Sequence, residues 1–140
     1  MSAHGHRTVP HTADLRIEAW AGTREECLAE AVRGLVESFA DTAGAHPRRT
    51  IERLVSAEGD ADLLAAVLDE VIYGMDVDGE VPVRVAVRPA GGGGVNLVLS
   101  LAEATAVEII GAAPKAVSFH ELRCAVDGAG LWSCGATVDV

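Results

Sequence analysis

Apolar residues recur at every second position in five stretches of the chain, and at helical spacing in two others. Leu15, Ile17 and Ala19 alternate with Arg16, Glu18 and Trp20, which predicts a half-buried strand over residues 15–20. Val81, Val83, Val85 and Val87 predict a second strand, and Val95, Leu97, Leu99 and Leu101 a third. Gly91 to Gly94 lie between these two, so the pair reads as a β-hairpin. Pro82 donates no backbone hydrogen bond, which suits an edge position or the start of a ladder. Residues 115–126 and 131–140 alternate as well and are joined by the turn Asp127-Gly128-Ala129-Gly130. In the first of these strands, strict alternation puts Ala116, Ser118, His120, Leu122, Cys124 and Val126 on one face. Val117 and Phe119 then fall on the other. In the last strand Trp132, Cys134, Ala136 and Val138 share a face, with Thr137 and Asp139 opposite.

Two helices interrupt the strands. Thr23 with Glu26 makes a capping-box pattern. Leu28, Ala31, Val32, Leu35 and Phe39 follow as an apolar stripe, with Glu25, Glu26, Glu30, Arg33 and Glu37 on the other side. This helix is expected to end near Asp41. The second is expected to start at a cap on Asp60 or Asp62 and to stop at Gly74, with Leu64, Val67, Leu68, Val71 and Ile72 inward. Residues 48–58 alternate poorly and could form a strand. Residues 102–114 give no clear element, and residues 1–6 are expected to fray. The expected fold is a single α+β domain over residues 1–140, with two helices packed on antiparallel β-sheet.

Composition narrows the function. The chain has 140 residues, enough for one core without staples. Only 4% of it is aromatic, so the core rests on Val, Leu, Ile and Ala. A formal net charge of −10 argues against direct nucleic-acid binding, which needs clustered Lys and Arg. Arg48, Arg49 and Arg53 are the one basic cluster and are expected to be a solvated face. The three cysteines (Cys27, Cys124, Cys134) show no Cys-x-x-Cys spacing and read as buried small side chains in a reduced, cytoplasmic setting. No signal peptide or membrane-spanning run is visible.

Candidate chemistry is sparse. No Gly-x-Ser-x-Gly elbow or ordered nucleophile set occurs, so the sequence gives poor support for an enzyme in its own right. The four glycines precede no Gly-Lys-Ser/Thr, which excludes a phosphate-cradling loop. Asp76, Asp78 and Glu80 are too close together for an EF-hand and read as a solvated turn. His4 and His6 read as a solvated terminus. Asp14 begins one predicted strand, and Asp139 and Val140 close another. If those strands are neighbours, two aspartates and the Val140 carboxylate converge as hard oxygen donors for Ca, Mg or Mn. If they are not, the aspartates are solvated edge charges.

His11-Thr12-Ala13-Asp14, then Ile17-Glu18-Ala19-Trp20 and Thr23-Arg24-Glu25-Glu26, resemble the opening of the archease family. Lys115-Ala116-Val117-Ser118-Phe119-His120 is similar to that family's Lys-Ala-Val-Thr-Tyr-His segment, and Val138-Asp139-Val140 to its Asp-Ile terminus. The resemblance implies an archease-like fold and a metal-binding protein that activates an RtcB-type RNA-splicing ligase. It implies Asp14, Asp139 and Val140 as metal ligands. It implies partner or nucleotide contacts at Lys115, with His120 and His11 in support. The chain departs from the family in residues 103–114, which carry no histidine. Two other readings stay open: a chaperone-like interaction protein for RNA-modifying enzymes, and a stand-alone metal-dependent phosphate-ester hydrolase.

Overall fold

The computed structural model describes residues 3–10 and 14–140. The elements run β1 (Gly5–Pro10), β2 (Asp14–Ala21), α1 (Arg24–Glu37), β3 (Ala40–Asp41) and β4 (Arg49–Val55), then α2 (Asp60–Asp78), β5 (Glu80–Pro89), β6 (Val95–Glu103), β7 (Glu108–Ile109), β8 (Ala116–Val126) and β9 (Trp132–Asp139). A four-stranded sheet has the order β1-β2-β9-β8, and a three-stranded sheet the order β4-β6-β5; β3 and β7 form a small third pair. The strand pairs are antiparallel throughout the described residues, so the α+β class is as expected.

Both helices touch both larger sheets. That explains why α1 is buried well beyond its apolar stripe. Leu28, Val32 and Leu35 are fully covered, and so is Glu30. Each large aliphatic side chain removed from water in this way contributes about 1.5–3 kcal/mol. The Thr23 hydroxyl accepts from the Glu26 backbone N–H at 3.1 Å, as the sequence predicts. The Glu26 carboxylate meets Arg33 instead of turning back to the cap. α1 ends at Glu37 rather than near Asp41, because Ala40 and Asp41 leave the helix to pair with β7.

α2 passes through Gly74 and ends at Gly79, where φ is +66° and the N–H closes on the Met75 carbonyl. A left-handed cap of this kind requires glycine far more than a mid-helix position does. Asp60 and Asp62 occupy the first turn, not the cap, which falls on Gly59. There they face the positive end of the helix dipole. No helix among the described residues is long and apolar enough to cross a membrane.

The β5–β6 hairpin forms as predicted, and Val95, Leu97, Leu99 and Leu101 all point into the core. β5 is an edge strand with a register shift between Pro82 and Arg84, which accommodates the proline. The basic cluster is neutralised within the domain. Arg48 pairs with Glu103, Arg49 with Glu80 and Asp78, and Arg53 with Glu70.

Two expectations for the four-stranded sheet are corrected. The N-terminal segment does not fray from residue 5 onward: Gly5–Pro10 is the edge strand β1, zipped along β2. And β8 does not alternate without interruption. Ser118 faces Thr137, but the next paired residue is Arg123, opposite Gly135, so a bulge intervenes. Glu121 carries it, with φ at +53°. The bulge splits the predicted face: Val117 and Cys124 are buried, while Phe119 and His120 are exposed.

Candidate functional site

Asp14 is the first residue of β2 and Asp139 the last of β9, and the two are direct partners in the ladder. Opposed residues of an antiparallel pair project on the same face, with Cβ atoms about 4.5–5.5 Å apart. That face points away from the helices, because Val138, one position earlier, is fully buried beneath the sheet. Ala116 flanks Asp139 on its other side, and the Lys115 N–H donates to the Asp139 carbonyl at 2.8 Å. Three chain segments thus meet here, bringing Asp14, Lys115, Asp139 and Val140 to one end of the sheet.

The next outward-facing pair along the ladder is Arg16 and Thr137. The Arg16 guanidinium donates to Thr137 Oγ1 at 3.1 Å and lies flat across Gly135, where a side chain would collide with it. Glycine at 135 therefore leaves room for the Arg16 guanidinium to lie on the sheet beside Thr137. Among the described residues, neither Asp14 nor Asp139 forms an ion pair. Like charges directly opposite on a sheet are destabilising, so the opposed carboxylates carry an electrostatic cost that a bound cation would relieve. The donor set is carboxylate oxygen, which fits a hard divalent ion and not a thiolate-seeking one.

The other sequence-derived residues divide. His120 sits on the β8 bulge with its side chain 77% exposed, near Glu121 at 3.8 Å. It is exposed on the sheet surface, with its backbone N–H bonded to the Ser118 hydroxyl. His11, with Thr12 and Ala13, lies outside the described residues. The Asp76, Asp78 and Glu80 cluster is dispersed. Asp76 and Asp78 belong to the last turn of α2, and Glu80 is a buried carboxylate gripped by Arg49. The hydrogen bonds from Arg49 hold the Glu80 carboxyl below its ordinary value, against a smaller opposing effect of desolvation.

The expectation of a solvated terminus at His4 and His6 is corrected: both reach a second polar cluster on α1. On the helix side of the same sheet, His6 Nδ1 lies 3.0 Å from Glu30 Oε2, and His6 Nε2 lies 2.7 Å from Glu37. Arg33 bridges Glu26 and Glu30. Burial pushes the Glu30 carboxyl up, but the hydrogen bonds and charges of His6 and Arg33 outweigh it, and the net direction is down. Only the fact that α1 is covered on two sides turns Glu30 inward, and no local pattern reports that.

The result is a small antiparallel α+β domain with two carboxylates opposed at the end of its central strands and no ion pair to either among the described residues. Residues 6–140 match the model of the archease protein family, and the chain belongs to that family. The probable protein archease of Mycobacterium tuberculosis is 50% identical over 139 residues, which is 99% of this chain and 76% of that protein. Protein archease of Methanopyrus kandleri is 33% identical over 73 residues, 51% of each chain. The solution structure of Methanobacterium thermoautotrophicum protein 1598 matches with a TM-score of 0.70 at 23% identity, covering 97% of this chain and 99% of that one. At that identity the likeness concerns the fold.

Proposed function

We propose that this protein is a metal-binding accessory factor that activates an RtcB-type RNA ligase, promoting the ligase's guanylylation and repeated turnover in tRNA splicing or RNA repair. Membership of the archease family supports the ligase as partner. The observation that carries the metal part is the register pairing of Asp14 with Asp139. Asp14, Asp139 and the carboxylate of Val140 hold a divalent ion of the Ca, Mg or Mn type. When bound, that ion supplies positive charge for phosphate oxygens during nucleotidyl transfer. The chain's own residues orient and admit. Lys115 anchors β9 through its backbone and offers its ammonium to a ligase carboxylate or a nucleotide phosphate. Arg16, bound to Thr137, pairs with neither aspartate. The exposed Phe119 and His120 on the bulge give the ligase a projecting contact. The acidic surface suits a basic partner protein better than bare RNA.

The test is single-turnover GMP transfer to a purified RtcB-type ligase, with and without this protein, in Mn or Mg. The expected result is acceleration that falls at least tenfold in the Asp14→Ala and Asp139→Ala proteins. Full acceleration by both variants would rule out the metal role. No acceleration of a cognate ligase by the unaltered protein would rule out activation. Exposure of Phe119 (68%) and Tyr73 (67%) favours a second reading, an interaction protein for RNA-modifying enzymes. It differs in expecting partner binding to survive loss of both aspartates.

A further inference from the structure

All three cysteines of the chain lie in one stack inside the core. Cys27 comes from α1, Cys124 from β8 and Cys134 from β9. Cys134 Sγ lies 2.9 Å from Cys27 Sγ and 3.2 Å from Cys124 Sγ. Cys124 and Cys134 are direct partners in the ladder, just beyond the β8 bulge. A disulfide has its sulfurs about 2.05 Å apart, so either pair closes by a movement of about 1 Å. Packing alone would be served by any small apolar residue at these positions, and three elements converging their only thiols on one point is a more particular arrangement.

The three are not equivalent. Cys27 and Cys134 are sealed, at 0% and 1% exposed, whereas Cys124 reaches 8%. The hydrogen bond with Cys134 lowers the Cys124 thiol against the effects of burial and of the Asp60 charge, with smaller help from Arg24 and Arg123. Hydrogen bonding to both neighbouring thiols and burial push Cys134 up. Cys124 is thus the sulfur nearest solvent, and Cys134 the one that lies behind it.

We propose that Cys27, Cys124 and Cys134 form a peroxide-responsive disulfide site with Cys134 as the shared partner. The Cys124 thiolate attacks one oxygen of hydrogen peroxide. An S–O bond forms, the O–O bond breaks, and the departing hydroxide takes a proton to leave as water. Cys134 then attacks Cys124 Sγ. The S–S bond forms, the S–O bond breaks, and the hydroxyl leaves with the Cys134 proton as a second water. Two thiols have given two electrons to one peroxide. Cys27 can next attack Cys134 Sγ, passing its proton to the released Cys124 thiolate and moving the bridge from β8–β9 to α1–β9. In a reducing compartment both bridges are transient.

The experiment treats the reduced full-length protein with hydrogen peroxide under native conditions, then quenches with acid and alkylates after unfolding. Alkylatable thiols are expected to fall from three to one in monomeric protein, with Cys124–Cys134 and Cys27–Cys134 peptides recovered by mass spectrometry. Cys27→Ala is expected to leave the Cys124–Cys134 bridge alone. Cys124→Ala is expected to slow thiol loss at least tenfold. Cys134→Ala is expected to form no bridge and to leave a sulfenic acid at Cys124 that a cyclic 1,3-diketone traps. Three thiols still alkylatable after peroxide would overturn the proposal. So would bridges found only between chains, or undiminished thiol loss in the Cys124→Ala protein.

Discussion

Two carboxylate clusters occupy opposite faces of the same four-stranded sheet, and they have opposite electrostatics. On the helix side, His4, Glu26 and Glu30 bring their ligand atoms within 4.8 Å of one another, which by proximity alone resembles a metal site. Yet Arg33 already sits between Glu26 and Glu30, and His6 spans Glu30 and Glu37. The domain supplies its own cation there in Arg33, with His6 within hydrogen-bond distance of the Glu30 and Glu37 carboxylates. On the outer face, Asp14 and Asp139 are opposed with no such partner among the described residues. Arg16, two positions along β2 from Asp14, is bound to Thr137 and lies over Gly135. Proximity of donors is therefore a poor guide to ligand binding. The useful question is whether the protein has already balanced the charge.

That contrast yields effects of opposite sign. The largest is expected at Glu30. Glu30→Gln weakens the charge-assisted hydrogen bonds to Arg33 and His6 and should cost about 1.5–3 kcal/mol, even though Arg33 keeps Glu26 and His6 keeps Glu37. A urea denaturation midpoint measures this, and a loss under about 0.5 kcal/mol would show the cluster to be no more than a surface network. The next effect is at the other face. Mn or Ca at a hundredfold excess over Kd should stabilise the unaltered protein by about 2.7 kcal/mol. The Asp139→Asn protein should gain nothing from the ion, and an equal thermal shift in both would place the ion elsewhere.

A pH series separates the clusters further. The Glu30 carboxyl is held below its ordinary value. Its contribution to stability is therefore complete above the ordinary carboxylate range and is lost as pH falls through the lowered value. Unfolding free energy should decline on acidification below pH 4.5, and the Glu30→Gln protein should decline less steeply. Parallel curves would remove Glu30 from the account. The smallest effect has the most telling sign. In chelator, Asp139→Asn should stabilise the protein by roughly 0.2–1 kcal/mol, because it removes a like-charge pair. A loss of stability in chelator would mean that the aspartates are balanced by something within the fold.

The parts of the fold carried by local pattern were legible. Val95 to Leu101 alternates and is buried on alternate positions, and Thr23 caps α1 as its spacing predicts. What failed depended on partners or on backbone without a residue signature. β1 is a strand only because β2 pairs with it, and Gly5-His6-Arg7-Thr8 has no alternation that reports this. The β8 bulge turns on Glu121, a non-glycine residue at positive φ, which leaves no mark in the sequence. Gly74 and Gly79 are both plausible stops by identity, and only the left-handed cap at Gly79 distinguishes them. For the site, the residue types at Asp14 and Asp139 suggested hard-metal chemistry. Their register did not follow from any nearby pattern, because it joins distant strands.

That distance has a consequence for how the molecule comes into being. β9 follows the other described elements in sequence, yet it is an inner strand of its sheet. Arg16 and Thr137, joined across it, are 121 positions apart. At ribosomal speeds of about 5–20 residues per second, β2 waits on the order of ten seconds for its inner neighbour. During that interval β1, β2 and α1 can already assemble, since they are adjacent in sequence and His6 reaches Glu30 within them. The helix-side cluster thus belongs to the first structure made, and the two aspartates meet only in the last. The pairing of Asp14 with Asp139 therefore forms only when β9 joins β2, so it reports that the four-stranded sheet has closed.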